Sequence, residues 1–204
     1  GRGLLLGDRL PAVLGCDGAG EVVAVGAKVD RFGIGDRVWF CHGGLGGPQG
    51  NYAEYRVLDQ AEVERMPATL DFAQAAAAPL ALLTAWEALF DRAGLGDGQT
   101  VLIHAGAGGV GHVAIQLARS VGARVATTVS TVAKAEFVRE LGAEKIIDYR
   151  RQDITAQIMD WTGGRGVDVV LDTVGGETFR QSLSAARVYG HVVTLLDPGT
   201  DVVW

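Results

Sequence analysis

Two kinds of hydrophobic spacing divide this chain. Up to residue 66 the apolar residues come in short runs, Glu21 to Val25, Arg37 to Phe40 and Tyr52 to Leu58, bounded by Gly and Pro. Such runs predict strands in a compact all-β portion. At Asp71 the pattern changes. Asp71-Phe72-Ala73-Gln74 offers an N-cap oxygen and a Gln at the third helical position, and an Ala-rich stretch follows to Ala78. Pro79 interrupts it, and a helical pattern resumes from Leu80 to Ala93.

From Thr100 onward buried strands alternate with amphipathic helices. Strands are expected at Val101 to His104, Ala123 to Val129, Lys145 to Asp148, Val167 to Leu171 and His191 to Leu196. Helices are expected at Gly109 to Val121, Val132 to Leu141, Ile154 to Trp161 and Thr178 to Arg187. Gly122 and Gly142 sit just past two of these helices, where a left-handed residue ends a helix cheaply. Strands joined by crossover helices form a parallel sheet, so the fold class is α/β, with a doubly wound Rossmann sheet over 79–204 and a β-rich part over 1–78.

Composition narrows the partners. Hydrophobic residues make up 48% of 204, enough for a large core, yet charges break every apolar run before the roughly 20 residues a membrane span needs. No membrane partner is expected. The net charge is −6, with basic residues scattered singly, which argues against nucleic acid. Two cysteines, Cys16 and Cys41, are too few for a disulfide framework and fit a reduced, cytoplasmic setting. The chain opens at Gly1 without an initiator Met and is read as a fragment.

The turn Gly106-Ala107-Gly108-Gly109-Val110-Gly111 stands where a buried strand gives way to a helix inside a βαβ unit. Glycine is common here, at 30 residues, so the motif alone is weak and its position carries the reading. Gly106 suits the tight turn, Gly108 the close approach of backbone to phosphates, and Gly111 the close packing of helix on strand. The helix start then offers free N–H groups and a positive dipole end to the pyrophosphate of a dinucleotide. An NAD site places a carboxylate about 20 residues beyond this motif. Val125 to Thr131 holds no acid, whereas Ser130, Lys134 and Tyr149, with Arg150 nearby, suit a 2′-phosphate. NADPH is the expected cofactor.

Several separated segments agree with one another: Leu14 to Val22, Gly35-Asp36-Arg37-Val38, Tyr52-Ala53-Glu54-Tyr55, the helix containing Thr84, the glycine turn, and Asp168 to Gly176. Together they resemble the medium-chain dehydrogenase/reductase superfamily, and within it the zinc-free quinone oxidoreductase (zeta-crystallin-like) group. The resemblance spans essentially the whole chain. It implies that residues 1–78 are part of a GroES-like catalytic domain, that 79–204 are the NAD(P)-binding Rossmann domain, and that a C-terminal return to the catalytic domain is missing. It also implies a homodimer or homotetramer of the full-length protein, with the edge strand ending at Leu196 as the seam.

The alcohol dehydrogenase branch holds a catalytic zinc. Where that branch carries Gly-His-Glu, this chain has Gly15-Cys16-Asp17, and its third ligand position falls at Leu80, which cannot coordinate. Cys41 and His42 are adjacent and make a poor chelating pair along an extended chain. His104, His112 and His191 are isolated, and each reads as a satisfied polar residue before it reads as a ligand. No metal is expected.

The resemblance places Thr84, Val174 and Leu195 around the nicotinamide. It yields an NADPH-dependent reductase that passes hydride to a quinone or enone, since a conjugated acceptor spreads the developing charge without a Lewis acid. Asn51 and Tyr52 are candidates for the substrate side, Tyr52 as donor to an enolate oxygen. The plainer reading makes Tyr52 and Tyr55 strand aromatics packed in a β-rich core. An enoyl-thioester reductase, a zinc-type alcohol dehydrogenase relative, and an NADPH-binding structural or regulatory protein are the competing readings.

Overall fold

The computed structural model describes residues 11–44 and 48–196; the stretch that would follow the Leu196 seam toward Trp204 lies outside them. The chain divides into two compact units between Ala81 and Leu82.

The first unit contains a three-stranded antiparallel sheet in the order β1 (Asp17–Glu21), β2 (Arg37–Cys41), β3 (Glu64–Arg65). Asp17 pairs with Cys41 and Glu21 with Arg37. The expected strand Glu21 to Val25 does not form. Beyond Glu21 the backbone turns to bracket a bend, Val22 N–H donating to Asp36 O (2.9 Å) and Gly35 N–H to Val22 O (2.8 Å), which leaves Val23 and Val25 exposed. The expected strand Tyr52 to Leu58 is also absent. Its first two amides, Tyr52 and Ala53, donate to Leu14 O and Asn51 O, and without a ladder partner an alternating sequence stays irregular. Helix α1 (Phe72–Ala76) starts as expected, with Asp71 and Gln74 forming a reciprocal capping box. Helix α2 (Pro79–Trp86) takes Pro79 as its first residue, where a missing N–H costs nothing. It runs on into a π-helical turn, Glu87–Arg92, that nothing in the sequence pattern announced.

The second unit is a five-stranded parallel sheet. Its strands are β4 (Thr100–Ile103), β5 (Arg124–Val129), β6 (Lys145–Asp148), β7 (Val167–Asp172) and β8 (Ala186–Thr194), in the order β6-β5-β4-β7-β8. The intervening helices are α3 (Gly109–Ser120), α4 (Val132–Glu140), α5 (Ile154–Trp161) and α6 (Glu177–Ala185). Gly122 and Gly142 adopt φ of 81° and 100°, as their places after α3 and α4 require. Buried Ala114, Ile115 and Ala118 of α3 and Val138 of α4 pack on one face of the sheet against Val101, Ile103 and Val125. Ile154 and Ile158 of α5 and Ala185 of α6 cover the other against Leu102, Ala126 and Val170. Both faces are buried, so Val101 to Ile103 of β4 and Val169 to Leu171 of β7 read as continuous apolar runs, as parallel strands do. Strand order reverses between β4 and β7, and in such sheets ligands sit at the carboxyl ends of the strands at this switch point.

Candidate functional site

At the carboxyl end of β4 the chain makes a tight turn in which Gly108 N–H donates to Ala105 O (2.8 Å). The left-handed residue is Ala105, at φ 50°, and not a glycine. That conformation costs a residue with a Cβ about 1–2 kcal/mol. Two bonds hold it: Ala105 N–H to Thr128 Oγ1 (2.9 Å) and Gly106 N–H to Thr128 O (3.1 Å). Gly106 is required by packing, because a Cβ there would run into Thr127 Oγ1. Gly111 is required too, since its Cβ would strike Ala105 O and come within 2.8 Å of Gly106 Cα. Space over Gly109 is open.

Helix α3 begins on Gly108, which has no side chain with which to cap it. His112 N–H reaches Gly108 O (3.1 Å), and the preceding N–H groups of the first turn are left for an external acceptor. Bare N–H groups, the positive end of the helix dipole and glycines that keep the approach clear fit an anionic diphosphate. Ala107 and Val110 complete this turn.

Ser130 and Tyr149 follow directly on Val129 and Asp148, which are paired across β5 and β6. Tyr149 N–H donates to Val129 O (3.2 Å) and its side chain is half-exposed. Lys134 lies exposed in the first turn of α4. The structure therefore brings Ser130, Lys134 and Tyr149 to one end of the β5–β6 pair. A shallow recess of about 170 Å³ between α4 and β6, lined by Val129, Val132, Arg139, Ile146, Asp148 and Gln152 among others, is bordered by none of the three.

Val174 and Leu195 are fixed by Asp172. The fully buried Asp172 carboxylate accepts from Val174 N–H (2.8 Å) and Gly175 N–H (2.9 Å) through Oδ1, and Asp172 O accepts from Leu195 N–H (2.9 Å). Asp172 Oδ2 is buried with no partner. Thr84 is half-buried on α2. His104 is a satisfied core residue, as the plainer reading of it held: it is 1% exposed and contacts Ser182 Oγ through Nε2 (3.0 Å) and Thr128 Oγ1 through Nδ1 (3.5 Å). Burial pushes its pKa down to about 4, against the opposing pull of Asp172. Sequence reasoning missed Asp172, Thr128 and Ser182. An Asp two and three residues ahead of the N–H groups it accepts is a turn signal that could have found the first.

In the first unit, Tyr52 and Tyr55 are 77% and 76% exposed, so they do not pack in a β-rich core. The Tyr52 ring lies against Gly15, filling the place a Cβ would take. Asn51 Nδ2 donates to Cys16 O (2.7 Å) and His42 O (2.8 Å), tying the ends of β1 and β2 together, while its Oδ1 is buried without a partner.

The residues at the zinc positions are committed elsewhere. Asp17 Oδ1 accepts from Leu80 N–H (2.7 Å). Burial, then Asp17, raises the Cys41 thiol to about 11, and burial followed by Asp17 also raises Cys16. No three His, Cys, Asp or Glu side chains converge as a ligand set among the described residues.

The sequence matches the model of the alcohol dehydrogenase GroES-like domain over residues 2–68 and that of zinc-binding dehydrogenases over 109–195. It is 40% identical over 192 residues to a quinone oxidoreductase of Pseudomonas aeruginosa, covering 94% of this chain and 58% of that protein. An alcohol dehydrogenase superfamily protein from Novosphingobium aromaticivorans superposes with a TM-score of 0.89 at 48% identity, over 95% of this chain and 58% of that one. The Escherichia coli quinone oxidoreductase crystallised with NADPH superposes with a TM-score of 0.82 at 35% identity, over 91% of this chain and 56% of that one. The chain thus spans somewhat more than half the length of these relatives. A GroES-like segment followed by a five-stranded parallel sheet with a glycine turn after its first strand places the chain in the medium-chain dehydrogenase/reductase superfamily.

Proposed function

We propose that this chain is the NADPH-binding part of a reductase that passes hydride to a quinone or another conjugated carbonyl compound without a catalytic metal. The observation that carries the reading is the uncapped start of α3 at the switch point, framed by Gly106 and Gly111, neither of which has room for a Cβ. In this reading Gly106, Ala107, Gly108, Gly109 and Val110 hold the pyrophosphate, while Ser130, Lys134 and Tyr149 hold the 2′-phosphate. Thr84, Val174 and Leu195 orient the nicotinamide. The bound dihydronicotinamide would supply the hydride.

Tyr52 serves as hydrogen-bond donor to the acceptor's oxygen and Asn51 sets the backbone beneath it. Leu80, which cannot coordinate a metal, supports a metal-free site, and a conjugated acceptor suits one, because its own π system carries the charge that a Lewis acid would otherwise stabilise. The edge strand β8 is the proposed seam of a homodimer or homotetramer.

The test is steady-state NADPH oxidation with a quinone, an alkenal and an enoyl thioester as acceptors, beside dissociation constants for NADPH and NADH. Turnover of the quinone or alkenal with tighter NADPH binding is the expected result. Tight NADPH binding with no turnover of any acceptor would replace the enzyme by a binding protein. Turnover of the enoyl thioester alone would move the substrate class.

A further inference from the structure

Beneath the carboxyl edge of the sheet runs a chain of polar groups whose three central members, Thr128, His104 and Ser182, are buried. Ala105 N–H donates to Thr128 Oγ1 (2.9 Å), Thr128 Oγ1 lies 3.5 Å from His104 Nδ1, His104 Nε2 lies 3.0 Å from Ser182 Oγ, and Ser182 Oγ–H donates to Thr178 O (2.9 Å). One assignment gives every hydrogen along it an acceptor. Ser182 spends its only hydrogen on Thr178 O, so the imidazole must donate from Nε2. Its Nδ1 is then the acceptor for the Thr128 hydroxyl, whose other lone pairs take the Ala105 amide. The opposite tautomer would aim Nδ1–H at Thr128 and leave the Thr128 hydrogen with no acceptor among these groups. A second tie runs through the same residue, Thr173 Oγ1 donating to His104 O (2.9 Å).

The groups joined in this way belong to two loops far apart in sequence. Ala105 is the left-handed residue that opens the phosphate turn, and Thr173 begins the loop carrying Val174. Ser182 lies in α6, the helix that this loop feeds. Nothing in a parallel sheet requires a histidine at this place. Leu102 and Ile103 before it are fully buried and apolar, and replacing a satisfied polar network by apolar groups is often neutral for stability.

We propose that His104 is a positioning residue that fixes the phosphate turn and the Val174 loop at one spacing, so that the two halves of a dinucleotide are held together. This inference rests on the dinucleotide reading of the turn. It assigns Thr128 and Ser182 to the same task, since each holds one ring nitrogen. A ligand that occupies only the phosphate and adenosine end has no need of that spacing, whereas an intact dinucleotide does.

The test compares two probes, NADPH and the fragment 2′,5′-ADP, by calorimetric titration of the purified protein and of His104→Leu, His104→Gln and Ser182→Ala. Removing the bonds while keeping the bulk in His104→Leu should weaken NADPH about tenfold, with the fragment changed less than about twofold. Ser182→Ala should weaken NADPH about threefold in the same selective way and serves if His104→Leu does not fold. His104→Gln, which keeps a donor and an acceptor, should recover most of the loss. Equal weakening of both probes, or an unchanged NADPH affinity in folded His104→Leu and Ser182→Ala, would overturn the positioning role. Failure of the unaltered protein to bind either probe would instead remove the dinucleotide reading, and this inference with it.

Discussion

Helices α4 and α5 begin on side chains that cap them, Thr131 accepting from Lys134 N–H (3.3 Å) and Asp153 from Ala156 N–H (2.8 Å). Helices α3 and α6 begin on Gly108 and Gly176, which cap nothing. All four start at the same edge of the same sheet, so the difference lies in which strands they follow. The capped helices follow β5 and β6 on one flank, whereas the uncapped ones follow β4 and β7, the neighbours between which the strand order reverses. A side-chain cap contributes roughly 0.5–2 kcal/mol to a helix. At α6 the Phe179 N–H donates to Gly176 O (3.1 Å) instead, whereas at α3 the omission leaves first-turn N–H groups open to an external acceptor, the place proposed above for the pyrophosphate.

That contrast can be broken by substitution. The largest effect is expected from Gly111→Val, which drives a branched side chain into the Ala105 carbonyl and Gly106. It should lower the unfolding free energy by about 3 kcal/mol in denaturant melts and abolish detectable NADPH binding. Next comes acid sensitivity. His104 is held down to about 4 by burial, so the unfolded chain takes up its proton near pH 6.5 while the folded one does not. Stability should therefore fall as pH drops from about 6.5 toward 4. Urea melts between about pH 7 and pH 5 should show roughly 2 kcal/mol lost through this group, and His104→Gln should remove that part of the slope. A slope unchanged by the substitution would show that the ring is not held neutral. The smallest effect belongs to a capped helix: Asp153→Ala should cost about 1 kcal/mol and leave NADPH affinity where it was. A parallel loss of affinity would mean that caps on the flank also serve the ligand.

Much of this architecture is legible in the sequence. The β6 and α5 limits, the Asp71 capping box and the C-terminal glycines after α3 and α4 follow from local patterns, because short-range periodicity and turn chemistry decide them. The strand expected at Tyr52 to Leu58 failed for a tertiary reason: alternation supplies a face, but only a neighbouring strand supplies a ladder, and its first amides turn to Leu14 and Asn51 instead. The glycine turn was legible as the link between a buried strand and a helix. That the left-handed residue is Ala105, and that Gly106 is forced by Thr127, depends on contacts with β5. The His104 network was invisible because its members, Ser182 and Thr128, lie 78 and 24 positions away.

Gly108→Asp tests most directly whether the bare start of α3 receives the pyrophosphate. Gly108 has φ −82° and ψ 174°, a backbone that any capping residue adopts, although a Cβ would sit a tight 3.0 Å from Ala105 O. The new carboxylate would cap α3 as Asp153 caps α5 and would occupy the place of the phosphate charge. Calorimetric titration with NADPH should show affinity at least about a hundredfold weaker than in the unaltered protein, while the thermal midpoint without ligand stays level or rises. An unchanged NADPH affinity in the folded Gly108→Asp protein would show that the pyrophosphate does not sit on the start of α3.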